Sequence, residues 1–319
     1  MLRLTAKIVI TGRRKWTIPH PAKVEIVADT DTLTDTCTIT LPRHIRWDGS
    51  GKVPFGRGDA VDVFLGYDDK LELAFMGYVC EVTDSQPIVV RCEDEMFIMK
   101  QYPAQKKAYR STTIRTLIDD QGLAYRLNIV GEQSLGAYRQ TQDTVAMMLG
   151  QLHRQGVRSF FRTEDGQPTL YAGILFDRQQ GKRVVIREGV NLIARDNLKP
   201  RMAADTKIRL VAISLMPDGK KKQRVEVGDG DGERRTLHTY NRTGAELKAW
   251  AEAQLARLKA DGLTGSLTTF GAPLIDKLDS VAVRMDDRRQ GVYLVKKNKI
   301  TYGPEGFRQE VTLGHKIAD

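Results

Sequence analysis

Three cysteines in 319 residues exclude much. Cys37, Cys80 and Cys92 are odd in number and show no C-x-x-C spacing, so neither a disulfide framework nor a zinc site is expected. Cys80 is in step with Met76, Tyr78 and Val82, and Cys92 with Ile88 and Val90. Both are expected on apolar strand faces, as small core residues in a reducing compartment. No apolar run approaches the ~18 residues that span a membrane. The opening Met1-Leu-Arg-Leu-Thr-Ala-Lys7 alternates and is soon charged, so it reads as a strand rather than a cleaved signal and predicts synthesis in a cytosol. Histidines 20, 44, 153, 238 and 315 fall in different segments, none paired at helical spacing with another ligand, and no metal site is expected. There is no G-x-S-x-G elbow, P-loop or G-x-G-x-x-G. Aromatics at 7% argue against a base-stacking platform.

What remains is strand grammar. Gly265-Ser-Leu-Thr-Thr-Phe-Gly271, Asp279-Ser-Val-Ala-Val283, Gly291-Val-Tyr-Leu-Val295 and Gly306-Phe-Arg-Gln-Glu-Val-Thr-Leu-Gly314 each alternate and are bounded by glycine or charged turn residues. Residues 1–95 read as about six strands of a small antiparallel barrel or sandwich. Residues 96–177 read as an α+β domain. Ser111 and Thr141 are expected caps of two helices ending at Gly122 and Gly156, each followed by a strand, in two units about thirty residues apart. Residues 178–319 read as a second barrel with a helix over 244–260. Thr243 and Glu246 form its capping box, and Leu247, Trp250, Ala251, Leu255 and Leu258 its buried face. Strands near 178–190 are expected to complete the first barrel. The fold class is thus mainly β with an α+β insertion: two related small antiparallel barrels plus a helix–strand domain.

Charge is uneven. Residues 1–95 hold 12 basic and 15 acidic side chains, 96–177 hold 10 and 7, and 178–319 hold 28 and 18. The basic excess of the last region would attract nucleic acid or an acidic protein surface. Lys207 and Arg209 share one strand face opposite Ile208, Leu210 and Ala212, and Arg183 and Arg187 lie opposite Val184 and Ile186. Lys220-Lys-Lys222 with Arg224 is placed at a hairpin tip around Pro217-Asp-Gly219. Gly228-Asp-Gly-Asp-Gly-Glu233 lacks EF-hand spacing and reads as a hairpin loop between Arg224–Val227 and Thr236–Thr239. Glu93-Asp-Glu95 and Asp119-Asp120 read as solvated turn residues, since adjacent carboxylates point to opposite faces of a strand.

The ordered series T-I-T-L-P, G-D-A-V-D-V-F-L-G-Y, F-M-G-Y-V, V-V-R-C-E-D-E-M-F-I-M-K, R-E-G-V-N-L, G-D-G-D-G-E-R-R-T, G-S-L-T-T-F-G-A-P, G-V-Y-L-V and G-F-R-Q-E-V-T-L-G covers nearly the whole chain. It resembles the baseplate hub proteins of contractile phage tails, the late control protein D group, and the N-terminal hub part of type VI secretion VgrG spikes. The final pair of motifs is its most specific piece. Two departures stand out: a Gly-Asp common before one strand is Leu278-Asp279 here, and a His common after the G-x-Y-x-V strand is replaced among Lys297, Asn298 and Lys299.

The resemblance implies a non-enzymatic structural hub without cofactors, made in a bacterial cytoplasm and built into a virion or tail-like particle. It implies a homotrimer whose six barrels match a hexameric tail tube on one face and a trimeric spike on the other, with wedge proteins around it. The chain ends at Asp319 without a spike-like tail, so the spike is expected as a separate polypeptide. Arg183, Arg187, Lys207 and Arg209 are candidate contacts to the bore, through which tape-measure protein or DNA would pass, or to a neighbouring subunit. A peptidoglycan-degrading tail hydrolase and a basic nucleic-acid-binding barrel are the competing readings.

Overall fold

The computed structural model describes residues 3–42, 53–83, 86–131, 134–173, 179–195, 197–216, 222–285 and 290–318. His44, the expected loop Trp47–Gly51, the Pro217–Gly219 turn and Lys220 and Lys221 lie outside them. Strands hold 56% of the chain and helices 13%, so the mainly β reading is correct.

Seven strands open the chain: β1 (Leu4–Thr11), β2 (Lys15–Ile18), β3 (Lys23–Asp29), β4 (Thr36–Thr40), β5 (Ala60–Tyr67), β6 (Lys70–Val82) and β7 (Val89–Glu93). They pair antiparallel in the order β2-β1-β5-β6-β7-β4-β3. Alternation turns Ile8, Ile10, Val24, Ile26, Ile39, Val61, Val63 and Leu65 into one core. Asp68 and Asp69 both take left-handed φ (49° and 64°), which makes the two-residue β5–β6 turn compatible with strand twist. The β2 strand was not anticipated, because Arg13, Arg14 and Lys15 interrupt the apolar alternation ahead of it.

The next segment holds α1 (Met96–Met99), β8 (Lys107–Thr113), α2 (Ile114–Asp119), β9 (Arg126–Val130), β10 (Ser134–Gln140), α3 (Val145–Arg154), β11 (Arg158–Glu164) and β12 (Gln167–Gly173). The helices are capped by Thr113 and Thr144, two and three residues beyond the expected caps; each threonine side chain accepts from the amide three residues on. Gly122 and Gly156 follow them with φ of 65° and 89°. The two units meet in one sheet of order β11-β12-β9. Ile114, Leu117, Val145, Met148, Leu149 and Leu152 fill a second core.

The remainder comprises β13 (Arg183–Arg187), β14 (Leu192–Ala194), β15 (Leu198–Arg201), β16 (Ile208–Leu215), β17 (Lys222–Gly228), β18 (Glu233–Tyr240), α4 (Gly244–Lys259), β19 (Gly262–Phe270), β20 (Ser280–Arg284), β21 (Gln290–Gly303) and β22 (Gly306–Ala318). It is not one barrel. Strands β13, β14, β15, β19, β20, β21 and β22 surround a core of Val184, Ile186, Leu267, Val281, Val283, Tyr293 and Val295. Strands β16, β17 and β18 form a separate sheet, with α4 packed on one side through Leu247 and Ala251. The Thr243–Glu246 capping box is present.

The expected completion of the first barrel by strands near 178–190 is corrected by the pairing. Arg183–Arg187 lies parallel to Ser280–Arg284 in the second barrel. The first core is completed instead by the C-terminal hairpin. The first part of β21 pairs with β20 (Ser280↔Leu294), and its second part pairs with β3 (Lys297↔Asp29 to Tyr302↔Val24). Ile300, Tyr302 and Phe307 enter the first core, whereas Tyr293, Val295, Val311 and Leu313 enter the other. Register shifts between Val292 and Lys297 mark the changeover. One long hairpin therefore belongs to two cores.

Candidate functional site

The structure separates the four candidate contact residues into two places. Arg183 and Arg187 are exposed on β13, beside buried Val184 and Ile186, as alternation predicts. Lys207 immediately precedes β16, and Arg209 lies within it, in the other sheet. Lys207 pairs with Asp231 at 2.5 Å, and Arg209 pairs with Glu226. The face opposite Ile208, Leu210 and Ala212 is not solvated along its whole length: Val211 is fully buried on it. The sheet is covered on both sides, since Gly156 of the α+β segment packs against His238, and Leu215 and Tyr240 join the second core. The open part is the end bearing Arg209, Arg224 and Glu226.

Several sequence expectations change in space. Gly228–Glu233 is not a hairpin loop, because β17 and β18 flank β16 rather than pair with each other. The loop wraps the start of β16. Asp229 accepts from the Ile208 amide (3.0 Å) and from Lys259 Nζ (2.6 Å), which holds its carboxyl below the usual range. A Cβ on Gly228 would meet the Ile208 carbonyl at 2.2 Å, and one on Gly232 the Ile208 amide nitrogen at 2.6 Å; close backbone approach accounts for both glycines. Cys37 and Cys92 are buried and oppose each other across β4 and β7. Cys80 is only half-buried, because Phe75 and Val79 are the core residues of β6 and a register shift falls at Cys80. Glu93 is paired with Lys100 (2.7 Å), but Asp94 and Glu95 are buried rather than solvated.

Those carboxylates belong to a polar junction between the cores, which sequence reasoning missed. Asp94 Oδ2 accepts from the Asp35 amide (3.2 Å) and its Oδ1 from the Met96 amide (3.0 Å); Glu95 accepts from the Tyr125 hydroxyl (2.6 Å). Lys277, with no exposed side-chain surface, places Nζ 2.5 Å from Asp35 Oδ2 and 4.6 Å from the centre of the Phe160 ring. Burial raises the Asp35 carboxyl to about 6 against the pull of Lys277, and burial with the neighbouring Asp35 charge raises Asp94 to about 8.

Alongside, Arg162 donates from Nε to Asp276 (3.1 Å) and from a terminal nitrogen to Asp279 (2.5 Å). Asp279 also accepts from the amides of Lys182 (3.1 Å) and Asp276 (3.0 Å). Asn298 and Gln309 continue the network: Asn298 Nδ2 donates to the Ile275 carbonyl (2.6 Å) and to Gln309 Oε1 (2.9 Å), and Gln309 Nε2 donates to the carbonyls of Phe270 and Pro273. A cavity of about 570 Å³ lies against this junction, with Asp35, Asp94, Arg162, Asp276 and Asn298 in its walls. Segment 271–280 thus docks one barrel on the other by side-chain and backbone hydrogen bonds.

The two departures from the resembled pattern fall in the same junction. Leu278 has φ of 65°, the left-handed region that favours glycine, and is buried with Phe160 and Tyr171. Asn298, one of the three residues among which the resembled pattern carries a histidine, is buried and anchors Ile275. The signal available in the sequence was the charged Asp276-Lys-Leu-Asp279 run inside an otherwise alternating region.

A tail protein from Neisseria meningitidis MC58 superposes with a TM-score of 0.62 at 14% identity, over 98% of this chain and 96% of that one. The chain shares its fold with phage tail proteins. A 43 kDa tail protein of prophage MuSo2 from Shewanella oneidensis gives 0.57 at 17% identity over 97% of each chain. The E. coli c3393 protein, a component of the type VI secretion system with structural similarity to T4 bacteriophage tail proteins gp27 and gp5, gives 0.55 at 12% identity over 98% of this chain and 76% of that one. No family model matches the sequence, and no curated protein matches it.

Proposed function

We propose that the chain is a structural hub of a contractile tail or injection particle, which adapts a hexameric tail tube to a trimeric spike as a homotrimer. The observation that carries this reading is the C-terminal hairpin β21–β22, which builds two β cores into one continuous sheet. Three such chains in a ring would present six cores to a sixfold tube while keeping threefold symmetry towards a spike. The shared fold with tail proteins supports the same reading. Tube, spike and wedge proteins are its partners, and the baseplate of a virion or tail-like particle is its location. Lys207 and Arg209, on the open end of the β16 sheet, face the bore or a neighbouring subunit, where a charged wall lets tape-measure protein or DNA pass without adhering.

The reading is of a protein that catalyses no reaction. What supports this is the commitment of the junction carboxylates: buried Asp35, Asp94 and Asp279 and half-buried Asp276 each accept from a backbone amide or a cation of the chain itself.

Imaging of the assembled particle tests the hub. Three copies between tube and spike are expected, and a stable dimer or a closed hexamer would defeat the proposal. The double variant Lys207→Glu/Arg209→Glu is expected to fold normally, yet to lower infectivity or injection at least tenfold. Clearing of a peptidoglycan gel by the purified chain would move the assignment to the hydrolase reading.

A further inference from the structure

Among the described residues strand β13 is an edge, paired with β20 on one side only. In that parallel pair the Ser280 amide bonds the Lys182 carbonyl and the Glu188 amide bonds the Arg284 carbonyl. Alternation therefore turns the backbone groups of Arg183, Val185 and Arg187 outwards. Two of those groups are occupied by one side chain. The Arg187 amide donates to Asn191 Oδ1 (2.7 Å), and Asn191 Nδ2 donates to the Val185 carbonyl (2.9 Å). These are the two bonds that a residue of an added parallel strand would make opposite Ile186. Asn191 is held in place through its own backbone, its amide on the Arg187 carbonyl (3.1 Å) and its carbonyl on Thr269 Oγ1 (2.8 Å).

The surroundings look like an interface. Val185, Val190 and Ile193 are 42%, 66% and 40% exposed, half of the large exposed apolar side chains among the described residues. Arg183 and Arg187 flank Val185 in the same row, roughly 13 Å apart at strand spacing. Among the described residues neither stands in an ion pair. Charge also selects the occupant. Among the described residues the other edge strands carry a net positive charge or none, and the glutamates on them, Glu164 on β11, Glu226 on β17 and Glu233 on β18, each lie beside an arginine of the chain itself. A second copy offering such an edge would set like charges against Arg183 and Arg187.

We propose that the outer edge of β13 is a docking site for an extended acidic strand of a different protein, kept shut in the free chain by the Asn191 side chain. The incoming strand would take over the Val185 and Arg187 backbone bonds, set carboxylates against Arg183 and Arg187, and cover Val185. The inference concerns the isolated chain and stands apart from the hub reading.

The test uses the full chain and a synthetic six-residue peptide alternating valine and glutamate, with a valine–lysine peptide as control. Fluorescence polarisation reads affinity, and hydrogen exchange reads the Val185 amide. Asn191→Ala is expected to bind the glutamate peptide roughly tenfold tighter than the native chain, because two hydrogen bonds no longer have to be displaced. Binding is expected to protect the Val185 amide, and Arg183→Glu/Arg187→Glu is expected to lose the glutamate peptide and gain the lysine one. Should Asn191→Ala fail to fold, Asn191→Ser, too short to span both backbone groups, is expected to show the same gain. Equal affinity in native and variant chains, or equal affinity for both peptides, would overturn the proposal. So would peptide-independent self-association of the Asn191 variant, which would assign the edge to a second copy.

Discussion

Lys277→Met is the most direct probe of the junction between the barrels. The substitution keeps an unbranched chain of similar length but removes a cation whose side chain has no solvent exposure. Asp35, 2.5 Å from Nζ, is then left in the interior with Asp94 as a neighbour and no compensating charge. Breaking a buried pair on one side typically costs about 3–5 kcal/mol, whereas a surface pair would cost under about 1 kcal/mol. Urea denaturation at pH 8 should show a loss in the larger range. The pH dependence has a defined sign. Asp35 and Asp94 both have raised folded pKa values, about 6 and about 8, so the folded chain holds their protons more tightly than the unfolded one. Their contribution to stability is greatest at low pH and falls as pH rises through that window. Without Lys277 the Asp35 carboxyl is pushed up further, so the deficit of the variant relative to the native chain should shrink between pH 8 and pH 5. Adding Asp35→Asn to Lys277→Met removes the stranded charge and should recover most of the loss. A single variant that costs under about 1 kcal/mol at pH 8, or a double variant no better than the single, would refute the role of this pair.

Leu278→Gly sets two effects against each other: relief of a left-handed non-glycine residue is worth about 1–2 kcal/mol, but deletion of a leucine that is 2% exposed costs about 3–5 kcal/mol. Net destabilisation by thermal or urea unfolding is therefore expected, and a stabilised variant would show that packing on Phe160 and Tyr171 matters little. Gly271→Ala would drive a Cβ to 2.0 Å from the buried Phe307 ring, itself held against Tyr67 and Tyr302, and should cost about 1–3 kcal/mol; an unchanged urea midpoint would contradict the close packing of that corner. Millimolar calcium or EDTA should leave the melting temperature unchanged, because Asp229 is already committed to Ile208 and Lys259; a shift of several degrees would restore a metal role to the Gly228–Glu233 loop.

The strands were legible wherever alternation meets a one-sided core. Val24 and Ile26, Val61 to Leu65, and Val184 and Ile186 all point where period two sends them. Helix α4 was legible from its capping box and stripe. What failed was partnership. Nothing in the spacing of Arg183–Arg187 says that it will lie against Ser280–Arg284 rather than the first barrel, because register depends on contacts almost a hundred residues apart. The three-stranded sheet was mistaken for part of a barrel for a related reason: Leu215 and Tyr240, which join the second core from the sheet's other face, carry no mark of the α+β segment that covers them. Asp94 and Glu95 were misjudged because acidic residues normally seek water, and only the fold supplies the amides and the tyrosine that let them stay inside.

The motif pair G-V-Y-L-V with G-F-R-Q-E-V-T-L-G turns out to be the hairpin shared by both barrels, and the packing there leaves few side chains free to change. Along β21 the buried side must change allegiance within a few residues. Tyr293 and Val295 serve one core and Ile300 and Tyr302 the other, with bulges between Val292 and Lys297 to re-aim the strand. Gly291 faces the Tyr293 ring, where an added Cβ would meet the hydroxyl oxygen at 2.8 Å, and that hydroxyl accepts from the Leu263 amide at 2.8 Å. Gln309, at the middle of β22, holds the carbonyls of Phe270 and Pro273 as well as the Ile275 amide. A strand with two masters and a polar spine through its partner cannot slide or rotate without breaking both cores. The two cores are thereby tied to one another within the chain, by the covalent continuity of the hairpin and by the hydrogen bonds of Gln309 and Asn298.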